Sequence, residues 1–380
     1  MSLTILLGFG AFAVRHASRG DGAAEAAREG VEARPAPSAP RAAPAIDGGG
    51  AASVPVSRAT RALPGAGAAA LEGIPAPASP QRVGAPAVRL GPEAFGRSGA
   101  LRTWQAMPGE RVELPLEWMG ARPAEAWYRW VSWPASERGE PAPLGEEDAA
   151  VAPSKPGVYG LEIGDGDGSR VLEGWRLVVW MPRERKKGAY LRGYRIGWYP
   201  DADGAPTERY APPAGFIEVT PENQELRLST HFKVREFLTK DQRSVWPKYV
   251  AIDPRLLDKL ELVIQDLEAR GIRADHLVVM SGFRTPQYNR KGLNLGRAVY
   301  SRHQYGDAAD VWVDNDLDWY MDDLNGDGRR NTADARVMLE SVRRVEARYP
   351  ELVGGAGIYR DNGVHGPFIH IDARGYRARW

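Results

Sequence analysis

Residues Ser301–Asp314 read SRHQYGDAADVWVD, and this stretch decides how the C-terminal part of the chain is interpreted. The alternating residues after Gly306 predict a strand in which Asp310 and Trp312 share one face. His303 lies just before that strand, in the loop that contains the glycine. The stretch therefore brings one imidazole and one carboxylate close to the start of a single strand.

A second candidate strand lies near the C-terminus, in the segment GPFIHIDARG. Its alternation places Phe368, His370 and Asp372 on one face. If the two strands are neighbours, Asp310 and His370 point to one place and His303 closes over it. The spacing of His303 and Asp310 alone is weak evidence for a metal site, since a lone histidine is more often a hydrogen-bonded structural residue.

The segments around these strands predict a compact α+β domain over residues 221–380, with a small antiparallel sheet and flanking helices. The segment PRLLDKLELVIQDLEARGI has the spacing of an amphipathic helix, and Gly271 supplies its stop. HLVVMSGFR predicts a buried strand that ends at Pro286, and residues 334–349 predict a second amphipathic helix.

Composition limits the kinds of partner. The 380 residues include 50 Lys and Arg against 49 Asp and Glu, so no net field favours nucleic acid or an anionic membrane. The chain contains no cysteine, which excludes disulfides and thiol nucleophiles. Any metal site must therefore be made from His, Asp and Glu.

The N-terminal part predicts export. An apolar run in residues 1–16 is shorter than the roughly 20 residues of a spanning helix. It suits a signal peptide or a membrane anchor, and the alternative is an apolar terminus without a targeting role. Residues 17–99 are rich in Ala, Pro and Gly, which predicts a disordered tether. We expect a periplasmic or cell-envelope protein.

Short alternating runs separated by Gly and Pro fill residues 100–183, as in RVELPLEW and EGWRLVVW. This pattern predicts a β-sandwich domain of immunoglobulin-like style. Residues 184–220 then predict a connector that contains a hairpin.

Three blocks carry a family resemblance: SGFRTPQYN at Ser281–Asn289, SRHQYGDAAD at Ser301–Asp310 and FIHID at Phe368–Asp372. They resemble the signature of the zinc D-Ala-D-Ala peptidase family, which includes the vancomycin-resistance dipeptidases and peptidoglycan D,D-carboxypeptidases and endopeptidases. The most similar branch ends in F-[VI]-H-[VI]-D and a short basic tail, here GYRARW. The resemblance implies that His303, Asp310 and His370 bind zinc.

The resemblance also implies a reaction, namely hydrolysis of an amide near D-amino acids in wall peptides. Zinc would polarise the carbonyl and lower the pKa of a bound water. Arg284 matches the family's arginine and is expected to stabilise the oxyanion or hold a substrate carboxylate. The alternative for Arg284 is a structural ion pair with a nearby acid.

The general base departs from the family's pattern. Well-known members carry it two or three residues before the last zinc histidine, where this chain has Phe368 and Pro367. Two substitutes are available. His365 is the first, because the histidine side chain has an intrinsic pKa suited to base work near neutral pH. Asp372 shares a strand face with His370, and its alternative role is to orient that histidine.

A second metal is predicted in DLNGDGRRNTAD, residues 323–334. The spacing is that of a calcium loop and resembles a dockerin repeat, with Gly328 at position 6. The alternative is a solvated acidic turn. The predicted ligands, of which position 7 uses its backbone carbonyl, are Asp323, Asn325, Asp327, Arg329, Asn331 and Asp334.

Three functions follow from these patterns. The first is an exported zinc metallopeptidase that cuts peptidoglycan stem peptides or crosslinks of D,D or L,D type. The second is a wall-binding or scaffold protein that has the zinc site but has lost turnover, suggested by the missing base. The third is a zinc hydrolase of another exported peptide, because fold kinship alone does not fix the substrate.

Overall fold

The computed structural model describes residues 86–90, 101–201, 204–205 and 207–380. All of them belong to one compact unit, Glu72–Trp380. The expected signal or anchor at 1–16 and most of the expected tether lie outside the described residues. Val88–Leu90, which the sequence assigns to the tether, is instead a strand paired with Leu116–Trp118. None of the helices in the described part of the chain is both long and apolar enough to span a bilayer.

The N-terminal part of the described chain is built from short strands around its own hydrophobic core. The main sheet has the order β2-β9-β8-β5-β6, and in it only β2 and β9 run parallel. β1 pairs with β4 and β3 with β7. An immunoglobulin-like topology stays a prediction. The strands are β1 Val88–Leu90, β2 Arg102–Ala106, β3 Arg111–Glu113, β4 Leu116–Trp118, β5 Trp127–Trp133, β6 Ala142–Pro143, β7 Ala149–Val151, β8 Gly157–Gly164 and β9 Ser169–Val179.

A set of short strands follows and leads to the second core. β11 and β12 form an antiparallel hairpin, and β10, β13 and β14 form a small antiparallel sheet. Their bounds are β10 Met181–Pro182, β11 Tyr190–Leu191, β12 Tyr194–Arg195, β13 Gly215–Val219 and β14 Lys248–Val250.

The C-terminal part is a mixed α+β domain, as expected from the sequence. Its sheet has the order β15-β16-β18-β17-β19 and is antiparallel except between β17 and β19. The elements are α1 Pro254–Ala269, β15 Leu277–Ser281, α2 Pro286–Arg290, β16 Ala308–Val313, α3 Thr332–Arg348, β17 Gly355–Tyr359, β18 Phe368–Asp372 and β19 Ala378–Arg379.

The helix α1 begins and ends where the sequence signals it. Asp253 caps it by accepting a hydrogen bond from the backbone N–H of Arg255, and Pro254 occupies the first turn. Gly271 follows in the left-handed conformation at φ +76°. The apolar face of α1 packs into the same core as α3.

Alternation in β16 and β18 divides the sheet into two faces. Val311, Ile369 and Ile371 belong to the core shared with the helices. Asp310 and His370, one residue out of phase with them, point to the opposite face. The sheet therefore uses its apolar side for folding and presents its polar side chains on the other side.

A buried ion pair fixes the end of β18. Lys259 on α1 donates to Glu346 on α3 at 2.8 Å, and neither side chain is accessible to solvent. The same ammonium donates to the backbone carbonyl of Asp372 at 2.7 Å. Arg379 on β19 also pairs with Glu346. Two helices and two strands are thus tied together two residues beyond His370.

Candidate metal centre

Three donor atoms form a small triangle on the polar face of the sheet. His303 Nε2 lies 3.2 Å from His370 Nδ1 and 3.2 Å from Asp310 Oδ1. His370 Nδ1 lies 2.9 Å from the same carboxylate oxygen. Ligands bound to tetrahedral zinc at about 2.0–2.1 Å lie roughly 3.3 Å apart. The triangle therefore has the size of three corners of such a site.

Strand register explains how two of the donors meet. Asp310 on β16 is directly opposite His370 on β18, and both side chains leave the sheet on one face. His303 comes from a short 3₁₀ helix just before β16. Gly306 turns the chain between them at φ +83°, and a Cβ there would lie 2.5 Å from the carbonyl oxygen of Ala251. Only glycine fits this turn without displacement.

Hydrogen bonds on the far side of each ring define which nitrogen carries a proton. His303 Nδ1 donates to the carbonyl of Gly282 at 2.8 Å, which leaves a lone pair on Nε2. His370 Nε2 donates to Asp372 Oδ2 at 3.1 Å, and Nδ1 faces Asp310 Oδ1 at 2.9 Å. Nδ1 presents a lone pair there when the ring is neutral and donates when the ring is protonated. His303 Nε2 and His370 Nδ1 both face Asp310 Oδ1, and all three side chains are buried. These buried acceptors need either a proton on His370 Nδ1 or a metal cation among them.

The pKa values describe how protons are held in the absence of a metal. Burial lowers the pKa of His303 to about 4, so this ring is neutral at physiological pH. Burial opposes charge on His370 as well, but hydrogen bonds to Asp310 and Asp372 outweigh it and raise the pKa to about 9. Interactions with the two histidines overcome burial and hold the pKa of Asp310 well below its usual range. A divalent ion would replace the proton on His370, and the residues fit that ion.

Arg284 holds the other oxygen of the aspartate. Its Nη2 donates to Asp310 Oδ2 at 2.6 Å, and its Nε donates to Ser281 Oγ at 2.8 Å. The backbone N–H of Arg284 donates to the carbonyl of His303 at 3.0 Å. These contacts match the structural ion pair that the sequence left open as the alternative. Arg284 orients a candidate metal ligand, and a role on the substrate stays a prediction.

Asp372 is engaged from two sides. One oxygen accepts the ring N–H of His370, and Arg374 makes a fork of hydrogen bonds to both oxygens. Burial would raise the pKa of Asp372, but His370 and Arg374 lower it strongly. A carboxylate so stabilised in its charged form is a poor proton acceptor. Its contacts favour the orienting role over the role of general base.

His365 lies apart from the triangle, on the loop between β17 and β18. Its Nδ1 donates to the carbonyl of Gly366 at 2.8 Å, which leaves the lone pair on Nε2. Its ring contacts Phe368 edge-on at 4.8 Å between centroids. Phe368 lies two residues before His370 on the same strand face. The loop thus holds an imidazole beside the polar face of the sheet.

The predicted calcium ligands lie in the loop before α3, except Asp334, which lies in the first turn of that helix. Asp323 accepts backbone N–H groups from Gly326, Asp327 and Gly328, and Asp334 accepts those of Leu324 and Asn331. Nothing in these contacts identifies an ion, and calcium binding at the loop stays a prediction. The candidate metal groups among the described residues are the histidine and aspartate triangle and the partly exposed cluster Asp314, Asp316 and Asp318.

Several side chains near the triangle were not predicted from the sequence. The Trp380 ring lies 5.2 Å from the His370 ring and donates its indole N–H to Tyr359 at 2.8 Å. Gly357 leaves space for the indole of Trp380, because a Cβ at this position would lie 2.2 Å from the indole nitrogen. The ring of Tyr359 stacks on Phe368 at 4.6 Å. The glycine alternation in GAGIY was the available signal, but it is weak without a structure.

Two imidazoles and one carboxylate around a common point make a mononuclear metal site of the kind that catalytic zinc uses in hydrolases. Residues 230–325 match the family model described as Peptidase M15, and the match supports a metallopeptidase hydrolase. Peptidases of this family depend on zinc. The match covers His303 and Asp310 and ends before His370. No curated protein and no solved structure matches the chain.

Proposed function

We propose that this protein is an exported zinc peptidase that hydrolyses amide bonds in peptidoglycan stem peptides or crosslinks, of D,D or L,D type. The observation that carries the proposal is the buried triangle of His303, Asp310 and His370, whose three candidate ligand atoms lie within 3.2 Å of one another. The match of residues 230–325 to the Peptidase M15 model supports the same reaction class.

Zinc, when bound by these three residues, supplies a Lewis acid for the scissile carbonyl and a water of lowered pKa. The chain's own residues do the remaining work. Gly282 and Asp372 fix the tautomers of the two histidines, and Arg284 neutralises the outer oxygen of Asp310. Donors fixed in this way need little reorganisation when a ligand binds.

The proton acceptor in this proposal is His365. Its Nε2 carries the lone pair, and its loop borders the sheet face that holds the triangle. Pro367 and Phe368, in the family's usual base positions, have no group that accepts a proton. Asp372 is the weaker candidate because its charge is already stabilised by His370 and Arg374.

The remaining parts of the chain suit a function at the cell wall. The apolar N-terminal run is proposed to direct export, either as a cleaved signal or as an anchor. The following tether would give the folded part reach. The β-rich region is proposed to position the peptidase on the wall, where the near-neutral charge of the chain gives no preference for nucleic acid.

The test is a digestion of purified muropeptides by the full chain, with zinc, with a zinc chelator, and with zinc restored. The proposal requires new products that disappear with the chelator and return with zinc. His303→Ala serves as the matched negative control because it removes one corner of the triangle. Bound zinc and wall affinity without products would favour a scaffold protein, and cleavage of unrelated peptides only would favour a different hydrolase.

A further inference from the structure

A cavity of about 540 Å³ lies on the β15 side of the sheet. Its wall includes Val278, Trp319, Lys240 and Trp246. Val278 is paired with Trp312 across β15 and β16, and Trp312 follows Asp310 by two residues on the same face. Trp319 contacts Trp312 edge-on, with 6.4 Å between the ring centroids. The cavity therefore borders the side of the sheet that carries the metal triangle, although no residue of the triangle lines it.

The cavity carries cations without acidic partners. Lys240 and Arg243 line it, and neither forms an ion pair or a side-chain hydrogen bond with any residue that the structure describes. The other charged groups of the wall are engaged. Arg235 pairs with Glu225, Lys291 pairs with Asp241, Lys248 donates to the carbonyl of Gln242, and Glu236 accepts the backbone N–H of Lys233.

The backbone of Lys240 is fixed close to the triangle. The hydroxyl of the preceding Thr239 donates to the carbonyl of Phe283 at 3.0 Å and accepts the N–H of Thr285 at 3.1 Å. Those two residues flank Arg284, which binds Asp310. Burial lowers the pKa of Lys240, and the charges of Arg284 and Asp310 also act on it. The Thr239 hydrogen bonds therefore place the backbone of Lys240 next to the segment that carries Arg284.

Aromatic surface completes the cavity. Trp319 is 71% exposed, which is unusual for so large an apolar side chain beside a hollow of this size. Trp246 contributes a second indole to the wall. Unpaired cations combined with one exposed and one half-buried indole suit a ligand that has both negative charge and apolar or ring surface.

We propose that this cavity binds a carboxylate of the substrate peptide, other than the one next to the scissile amide, through Lys240 and Arg243. The inference rests on the proposed function, since wall stem peptides carry carboxylates along their length. Trp319 covers the bound segment and excludes water from the ion pair. The site would make the enzyme selective for acidic peptides over neutral ones.

The experiment compares two synthetic stem pentapeptides, both with a free C-terminus. One has free side-chain carboxylates, and in the other these groups are amidated. Binding is measured by calorimetry on the full chain with chelator present, so that no turnover occurs. Cleavage is measured separately on the zinc-loaded chain. The variants are Lys240→Met, Lys240→Arg and Arg243→Met, and Lys155→Met removes an exposed lysine outside the cavity as the control.

We expect the native chain to bind the acidic peptide roughly tenfold more tightly than the amidated one, a typical gain for a charge-assisted contact. Lys240→Met should abolish this preference and Arg243→Met reduce it, while Lys240→Arg and Lys155→Met keep it. Equal binding of both peptides by the native chain, no binding of either, or an unchanged preference in Lys240→Met would overturn the proposal.

The two proposals fail separately. A carboxylate preference in binding without zinc-dependent cleavage would remove the proposed peptidase function and keep the carboxylate site. Zinc-dependent cleavage with equal rates for both peptides would remove the carboxylate site and keep the peptidase.

Discussion

Arg284 Nη2 lies 2.6 Å from Asp310 Oδ2, while Oδ1 of the same carboxylate faces His303 and His370. One aspartate thus divides its two oxygens between a guanidinium and the metal triangle. The arginine leaves Oδ1 directed at the two histidine nitrogens and neutralises charge on the opposite side of the carboxylate. This relationship explains why the block SGFR and the block SRHQYGDAAD belong to a single site.

Arg284→Met should weaken metal binding without removing a ligand. Loss of a hydrogen-bonded partner of a metal ligand typically costs about 10- to 100-fold in affinity. Competition with a zinc-chelating dye measures the change. Arg290→Met, at the exposed end of α2 and six residues away, is the matched control and should bind zinc like the native chain. Equal affinities for the two variants would show that Arg284 has no orienting role.

Asp372→Asn should also weaken metal binding, because it removes the charge that accepts the ring N–H of His370. An amide oxygen can still accept that hydrogen bond, so we expect roughly a tenfold loss of affinity. The pKa of His370 in the metal-free chain should fall from its raised value, which the imidazole NMR titration would report. An unchanged titration would contradict the assignment of Asp372 as the orienting group.

His365→Ala separates the general base from the metal ligands. We expect kcat to fall by about 10²- to 10⁴-fold, the usual contribution of general base catalysis, with zinc content unchanged. Val364→Ala, whose side chain is 89% exposed on the same loop, is the control for loop disturbance. If His365→Ala retains full kcat, the proton acceptor lies elsewhere.

Metal binding should release a proton. In the metal-free chain the pKa of His370 is raised to about 9 from 6.5, so its stabilising effect is complete below pH 6.5 and is lost as pH rises through 9. His303, with a pKa of about 4, is already neutral in this range. Zinc must displace the His370 proton, and its apparent affinity should rise roughly tenfold per pH unit between 6.5 and 9.

Calorimetry in buffers of different ionisation enthalpy measures that release directly. At pH 7.5 we expect close to one proton per zinc ion, and in the same assay His370→Ala should release none from this position. Proton release near zero in the native chain would mean that His370 is neutral before the metal arrives, contrary to the hydrogen-bond pattern.

Gly306→Ala should destabilise the fold near the site. The glycine adopts φ +83°, and its Cβ would meet the carbonyl oxygen of Ala251 at 2.5 Å. Backbone strain and overpacking together should lower the free energy of unfolding by about 2–5 kcal/mol. Gly296→Ala is the control, since it has φ +87° but open space around its Cβ, and should cost only about 1 kcal/mol. Urea denaturation compares the two variants, and equal losses would refute the close-contact explanation.

Much of the C-terminal domain could be predicted from the sequence, because its helices and strands follow from patterns in contiguous residues. The apolar period of α1 and its stop at Gly271 are properties of contiguous residues, and so is the alternation in β16 and β18. The strand Val88–Leu90 was not predicted, because three residues in an Ala- and Pro-rich context are too few to show the alternation of a strand. β17 was missed for a similar reason, since GAGIY has glycines where a strand usually shows side chains.

The sequence by itself determined the donor chemistry: a chain with six histidines and no cysteine can offer only imidazole and carboxylate, and strand alternation fixes which of them leave the core. The tertiary structure decided which pairs form, because register sets Asp310 against His370 and brings Arg284, Asp372 and the C-terminal Trp380 to them from separate segments. These contacts form between segments that are distant in the chain, so the spacing of residues along the sequence does not predict them.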